Sequence, residues 1–153
     1  MVGWREWISL PDLGITRIKA KMDTGASSSA IHAMEVETFE RDGVRMARFQ
    51  VHPLQRNSSV TVDCEAEVIG ERIVRSSSGH AVRRIVVRAR ARIGGRIARL
   101  DLTLAQRDQM GFRMLVGRRG LRRARLAVDP AGSYLSGKRI LQGRRSQAQE
   151  APE

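Results

Sequence analysis

The chain has 153 residues, 41% of them hydrophobic and 4% aromatic, and carries 28 Lys and Arg against 16 Asp and Glu, a formal net charge of +12. A single domain of this length buries roughly two-thirds of the surface its unfolded form exposes, so its core needs neither disulfides nor structural metal. The single cysteine, Cys64, excludes an internal disulfide framework, and no apolar run approaches the roughly 20 residues of a membrane span.

The first residues, Met1-Val2-Gly3-Trp4-Arg5-Glu6-Trp7, lack the basic-then-apolar order of a secretory signal, so a cytoplasmic location is expected. Short alternating segments then dominate, with no sustained 3.6-residue apolar period, which predicts an all-β fold. From Thr16 to Met22, the residues Thr16, Ile18, Ala20 and Met22 alternate with Arg17, Lys19 and Lys21, the pattern of a half-buried strand. That strand runs directly into Asp23-Thr24-Gly25-Ala26. Asp42-Gly43 is a turn signal between β-compatible runs at Val36 to Phe39 and Val44 to Val51. Val60, Val62, Cys64, Ala66 and Val68 alternate with polar residues, which points Cys64 inward as a small hydrophobe.

Arg75-Ser76-Ser77-Ser78-Gly79-His80 is polar and joins two strand-like runs as a projecting loop or hairpin tip. A hairpin from Ile85 to Leu104 folds about Gly94-Gly95. Its two-residue turn sets Ala91 against Ala98, Ala89 against Leu100, Val87 against Leu102 and Ile85 against Leu104, all apolar. The other face sets Arg88 against Asp101 and Arg92 against Ile97, but Arg90 against Arg99, a like-charge contact that needs solvent or an anion to relieve it. Phe112 to Val116 reads as a buried strand closed by Gly117. Leu121 to Leu126 has room for one or two helical turns before Asp129-Pro130, and a last strand includes Tyr134 and Leu135. The domain is expected over 1–141, with a disordered polar tail over 142–153.

The charge is uneven: residues 1–75 hold 10 basic and 11 acidic side chains, residues 76–153 hold 18 and 5. Only Lys19, Lys21 and Lys138 are lysines, so the positive field is guanidinium, suited to bidentate grip on carboxylate or phosphate. A bias toward arginine codons gives the same excess with no function attached.

Asp23-Thr24-Gly25-Ala26 is the candidate for chemistry. A carboxylate at the tip of a tight turn reaches a bound water, the threonine hydroxyl both donates and accepts, and glycine turns the backbone without a Cβ clash. The same residues also suit an ordinary corner in which the carboxylate caps backbone N–H groups. A second element, Met114-Leu115-Val116-Gly117-Arg118, lies about 90 residues downstream. Together the pair resembles the retropepsin-type aspartic peptidases, whose fold is a single-lobe β-barrel with a short C-terminal helix. Lys21 to Ala30 with Val128-Asp129-Pro130 resembles, more narrowly, a bacterial branch of that retropepsin-like family often labelled ATP-dependent zinc protease and found beside an ATP-grasp ligase that adds glutamate to a ribosomal protein.

The resemblance implies catalytic roles for Asp23, Thr24 and Gly25. It places Ala26 and Ser27, with the flap-tip residues Ser77, Ser78 and Gly79, against a bound peptide, and makes Gly117 and Arg118 supports of the active site. Because the chemistry needs two carboxylates sharing a proton and the chain has one Asp-Thr-Gly, a homodimer is implied. Two positions depart from the pattern: Ser27 stands where retroviral relatives carry the acidic partner of the motif arginine, and the flap tip is Ser-Ser-Ser-Gly-His rather than apolar. No cofactor is expected, since His32, His52, His80 and Cys64 are scattered and no phosphate-binding Gly-x-x-x-x-Gly-Lys-Ser/Thr loop exists. Ser29 and His32 lack the orienting partner of a nucleophile and base.

The expected activity is an aspartic endopeptidase acting on a peptide or protein substrate, acidic or glutamate-extended. The alternative is a non-catalytic module of the same fold whose arginine-rich half holds acidic peptides or RNA.

Overall fold

The computed structural model describes residues 1–54, 60–75, 78–105 and 111–136. Ser77 of the proposed tip and the expected tail over 142–153 lie outside them. Among the described residues ten strands form one sheet in the order β10-β1-β2-β9-β3-β8-β7-β6-β5-β4. In chain order they are β1 (Val2–Leu10), β2 (Ile15–Met22), β3 (Ser29–His32), β4 (Met34–Arg41), β5 (Val44–Val51), β6 (Val62–Arg75), β7 (Ala81–Ile93), β8 (Arg96–Ala105), β9 (Met114–Val116) and β10 (Val128–Ser133). A 3-10 turn at Pro11–Leu13 joins β1 to β2, and the one α-helix among the described residues, α1, spans Arg118–Ala124 between β9 and β10. The sheet curls far enough for β1 to meet β7 at one pair, Ser9↔Arg92, a point contact rather than a continuous ladder.

The sequence pattern sets most of this. Both two-residue hairpins carry positive φ at their turn residues, Asp42 and Gly43 in one and Gly94 and Gly95 in the other, the backbone that a type I′ turn demands. About Gly94-Gly95 the register is the one expected, including Ala89↔Leu100, Arg88↔Asp101 and Arg90↔Arg99. The described ladder ends at Val86↔Thr103, and Ile85 pairs instead with Glu71 of β6. Thr16 is exposed, contrary to the simple alternation, and Ile15 is buried in its place. A register shift between Ile8 and Leu10 of β1, where Leu10 pairs with Ile15, changes the phase at the start of β2. The helix begins three residues earlier than expected, and β10 ends before Tyr134. Pro130 is tolerated because β10 is an edge strand.

The core runs through the inner faces of β1, β2, β5, β7 and β8, with Phe49, Leu10, Ile15, Ile18, Ile93 and Leu100 fully buried. Cys64 is buried among them, its thiol facing the Leu13 carbonyl at 3.5 Å. Helix α1 closes one side. A Cβ on Gly120 would fall 2.7 Å from Leu100 Cδ2 and 3.2 Å from Val116 Cγ1, so a larger residue there would have to displace the Leu100 side chain for the helix to lie this close to β8 and β9.

Candidate active site

Short β9 decides where Asp23 goes. It pairs in parallel with β2 (Ala20↔Met114, Met22↔Val116) and antiparallel with β3 (Ala30↔Leu115, Ile31↔Met114). The two strands that flank the Asp23 turn therefore straddle β9, and the turn arches over its end. At that end Asp23 N–H donates to the Val116 carbonyl at 2.8 Å, while the N–H groups of Arg118 and Arg119 donate back to the Ala26 and Ser27 carbonyls at 2.7 and 3.1 Å.

The Asp23 carboxylate sits half-buried at the start of the turn, and its Oδ1 accepts the Gly25 N–H at 2.8 Å. The Ala26 N–H donates to the Asp23 carbonyl at 3.3 Å. These bonds hold the carboxylate with one oxygen engaged by the loop. Thr24 is exposed, and its carbonyl accepts the Arg118 guanidinium at 3.0 Å. The Thr24 carbonyl thus takes the place of the acidic partner that Ser27 cannot supply: a backbone oxygen one residue after the aspartate accepts the Arg118 hydrogen bond. Gly117 is fixed by contact. A Cβ there would lie 2.3 Å from the Ser28 carbonyl oxygen and 2.8 Å from that of Ala26.

The fold therefore brings Asp23, Thr24, Gly25, Ala26, Ser27, Gly117 and Arg118 together. Ser78 and Gly79 lie apart in sequence, in the connection between β6 and β7, where Arg75↔Ala81 is the last pair and Gly79 takes a positive φ of 89°. Two supports were not legible as such. Ser29, buried in β3, accepts the Gly117 N–H on Oγ at 3.1 Å, and the Arg119 N–H reaches Ser27. Their signal was position alone, in that both adjoin a motif. Ser29 and His32 are three apart on one strand, hence on opposite faces, which removes them as a nucleophile and base.

Among the described residues no three His, Cys, Asp or Glu gather into a cluster. His52 faces Thr61 and the Val60 carbonyl. Burial pushes the Cys64 thiol up to about 12, where it resists the deprotonation a ligand needs.

A curled single sheet with one short helix, one Asp-Thr-Gly turn and one hydrophobic-hydrophobic-Gly-Arg strand end is the architecture of a single-lobe retropepsin-like protein. Residues 1–139 match the family model described as "Retropepsin-like aspartic endopeptidase RimB", and the chain belongs to that RimB-like family. Curated relatives named "Probable alpha-L-glutamate ligase" are 44% identical over 131 residues in Desulfotalea psychrophila and 44% over 137 residues in Parasynechococcus marenigrum. The matches cover 86% and 90% of this chain but only 28% and 29% of those relatives, so the chain spans less than a third of their length. The crystal structure of Lpg0085, a protein of unknown function from Legionella pneumophila, is similar with a TM-score of 0.74 at 26% identity, covering 88% of this chain and 96% of that one.

Proposed function

We propose that the chain is an aspartic endopeptidase that works as a homodimer, with Asp23 from each subunit at the twofold axis. The observation that carries the reading is the bracing of the Asp23 turn, tied to β9 and α1 by the Val116, Ala26, Ser27 and Thr24 contacts. A reacting carboxylate needs that rigidity, whereas a capping aspartate in an ordinary corner does not. Exposed Thr24 is available to brace the second subunit. The stems of the β6–β7 hairpin expose Ile73 (69%), Val74 (42%) and Val82 (37%), apolar surface suited to a flap that closes over a peptide.

Two carboxylates about 3 Å apart share one proton. The ionised Asp23 takes a proton from water as the water oxygen bonds to the scissile carbonyl carbon, and the protonated Asp23 of the partner subunit donates to the carbonyl oxygen. The resulting gem-diol collapses as the C–N bond breaks: Asp23, now protonated, gives its proton to the leaving nitrogen, and the carboxylate of the partner subunit takes a hydroxyl proton as the carbonyl re-forms, which restores the shared-proton pair. A shared-proton pair sets an acidic optimum for this step.

The test is Asp23→Asn. Cleavage of a fluorogenic peptide library should fall by at least about a thousandfold, with circular dichroism and sedimentation unchanged. Undiminished proteolysis, or a wild-type protein that cleaves nothing and binds no pepstatin, removes the proposal. The latter result would leave the non-catalytic binding module.

A further inference from the structure

Next to the Asp23 turn lies a cleft of about 350 Å³. Its floor includes buried Ser29, Leu100 and Gly120, and Ser28 brings it to within five residues of Asp23 in the chain. One wall is β6, at Gly70 to Arg72 of the hairpin proposed as the flap; the other is β8 and α1, with Arg99, Arg119 and Arg123.

The charges in the cleft do not cancel. Its two acids are already engaged: Asp101 accepts Arg88 at 2.8 Å and faces Arg123 at 3.6 Å, and Glu71 lies 3.1 Å from Arg45 and 3.4 Å from Arg83. In the Arg90↔Arg99 cross-strand pair, Asp12 takes the Arg90 guanidinium at 2.7 Å and attracts Arg99 only through space, with no hydrogen bond to it. Arg72, Arg99 and Arg119 are left without a side-chain hydrogen bond or ion pair among the described residues. Three exposed arginines lining one concave site whose own acids are already paired describe a receptor for an anionic group.

We propose that Arg72, Arg99 and Arg119 form a substrate subsite that takes an acidic side chain of the peptide, away from the scissile bond, and that the carboxylate pins the β6 hairpin to the body of the subunit. The inference rests on the peptidase reading and assigns its specificity-determining residues. A carboxylate fits better than a nucleic-acid strand. The cleft is at the small end of ligand sites, and none of the chain's six aromatic residues, Trp, Tyr or Phe, lines it for base stacking. Because one wall belongs to the hairpin, occupancy contributes to closure as well as to binding.

Binding is measured on the Asp23→Asn protein, so that catalysis and recognition are scored separately. Fluorescently labelled hexaglutamate should bind at least about tenfold tighter than hexaglutamine. R99Q/R119Q and R72Q should each erase most of that ratio, while R92Q/R96Q, which removes equal charge outside the cleft, should preserve it. In wild-type protein, peptides with glutamate replaced singly by glutamine should show one position whose replacement raises KM by about tenfold, and R72Q should lose that dependence. Equal binding of the two homopeptides, an equal loss in R92Q/R96Q, or single-stranded RNA binding that depends on the same three arginines overturns the subsite. Cleavage indifferent to glutamate would sink the subsite and leave the peptidase intact. Tight hexaglutamate binding by a wild-type protein that cleaves nothing would do the reverse.

Discussion

Gly117 has no room for a side chain, and its neighbours are backbone rather than flexible side-chain ends. A methyl at 2.3 Å from the Ser28 carbonyl oxygen must push the Asp23 turn off β9. Gly117→Ala should therefore cost about 1–3 kcal/mol, read as a drop of several degrees in Tm, and should lower activity more than Tm because the displaced segment holds Asp23. Activity and Tm unchanged together would contradict the close approach. Cys64 makes the opposite kind of prediction. Desolvation raises its pKa to about 12, so the thiol stays protonated and buried. Iodoacetamide at pH 8 should leave it unmodified in native protein and alkylate it quickly in 6 M guanidinium chloride; fast native labelling would place it at the surface. At this scale the sequence was informative where residue type shapes the turn, as at Asp23 and Gly25, whose carboxylate and N–H bond to each other. It was silent where a residue acts through its backbone: the Thr24 carbonyl as the Arg118 partner and the Ser27 carbonyl under Arg119 have no signature in side-chain identity.

Strands and turns were legible where alternation and turn chemistry agree, and illegible where a long-range partner decides. Asp42-Gly43 and Gly94-Gly95 fix their registers locally. By contrast, β1 carries Trp, Arg and Glu in an order with no clean alternation. It becomes a strand because β2, β10 and β7 all pair with it and because Glu6 is completely buried as an anchor. Glu6 Oε2 accepts the N–H groups of Gly3 (2.6 Å) and Leu135 (2.8 Å), and Oε1 accepts that of Ser136 (3.2 Å). Glu6→Ala would orphan three donors, each worth about 1–3 kcal/mol if left buried, so hydrogen exchange at Leu135 and Ser136 should accelerate well before the β7–β8 core opens. The turn at Pro11–Leu13 is latched in a similar way, but by exposed groups. Side-chain hydrogen bonds from Arg90 hold the Asp12 carboxyl below its usual range, and Arg88 does the same for Asp101. A depressed carboxylate pKa contributes stability that is present above the unfolded value, near 4, and lost as pH falls through the folded value. Tm should decline on acidification below about pH 4, with a shallower acid limb in Arg90→Gln. An identical limb in that variant would show the latch to be inert. Ser27 illustrates the limit of local reading: its side chain is the departure from the family pattern, yet its carbonyl still ties the turn to α1.

On the scale of the whole molecule, one subunit brings one Asp-Thr-Gly, and a proton-sharing pair requires a second copy. Each copy carries +12, so two subunits repel across any twofold axis they share. Moderate salt should therefore favour assembly, while the same salt weakens an anionic peptide in the arginine cleft. Rate against ionic strength should rise and then fall, with the rising arm disappearing at high protein concentration. Subunit mixing separates a shared centre from an independent one. When wild-type chains are equilibrated with a ninefold excess of Asp23→Asn chains, random pairing leaves about one wild-type chain in ten with a wild-type partner. If the centre is shared, activity per wild-type chain should fall to about a tenth of its unmixed value, and a covalently linked wild-type dimer should escape the effect. If each subunit works alone, mixing should change nothing, and the pairing of Asp23 across a twofold axis would have to be abandoned even with proteolysis intact.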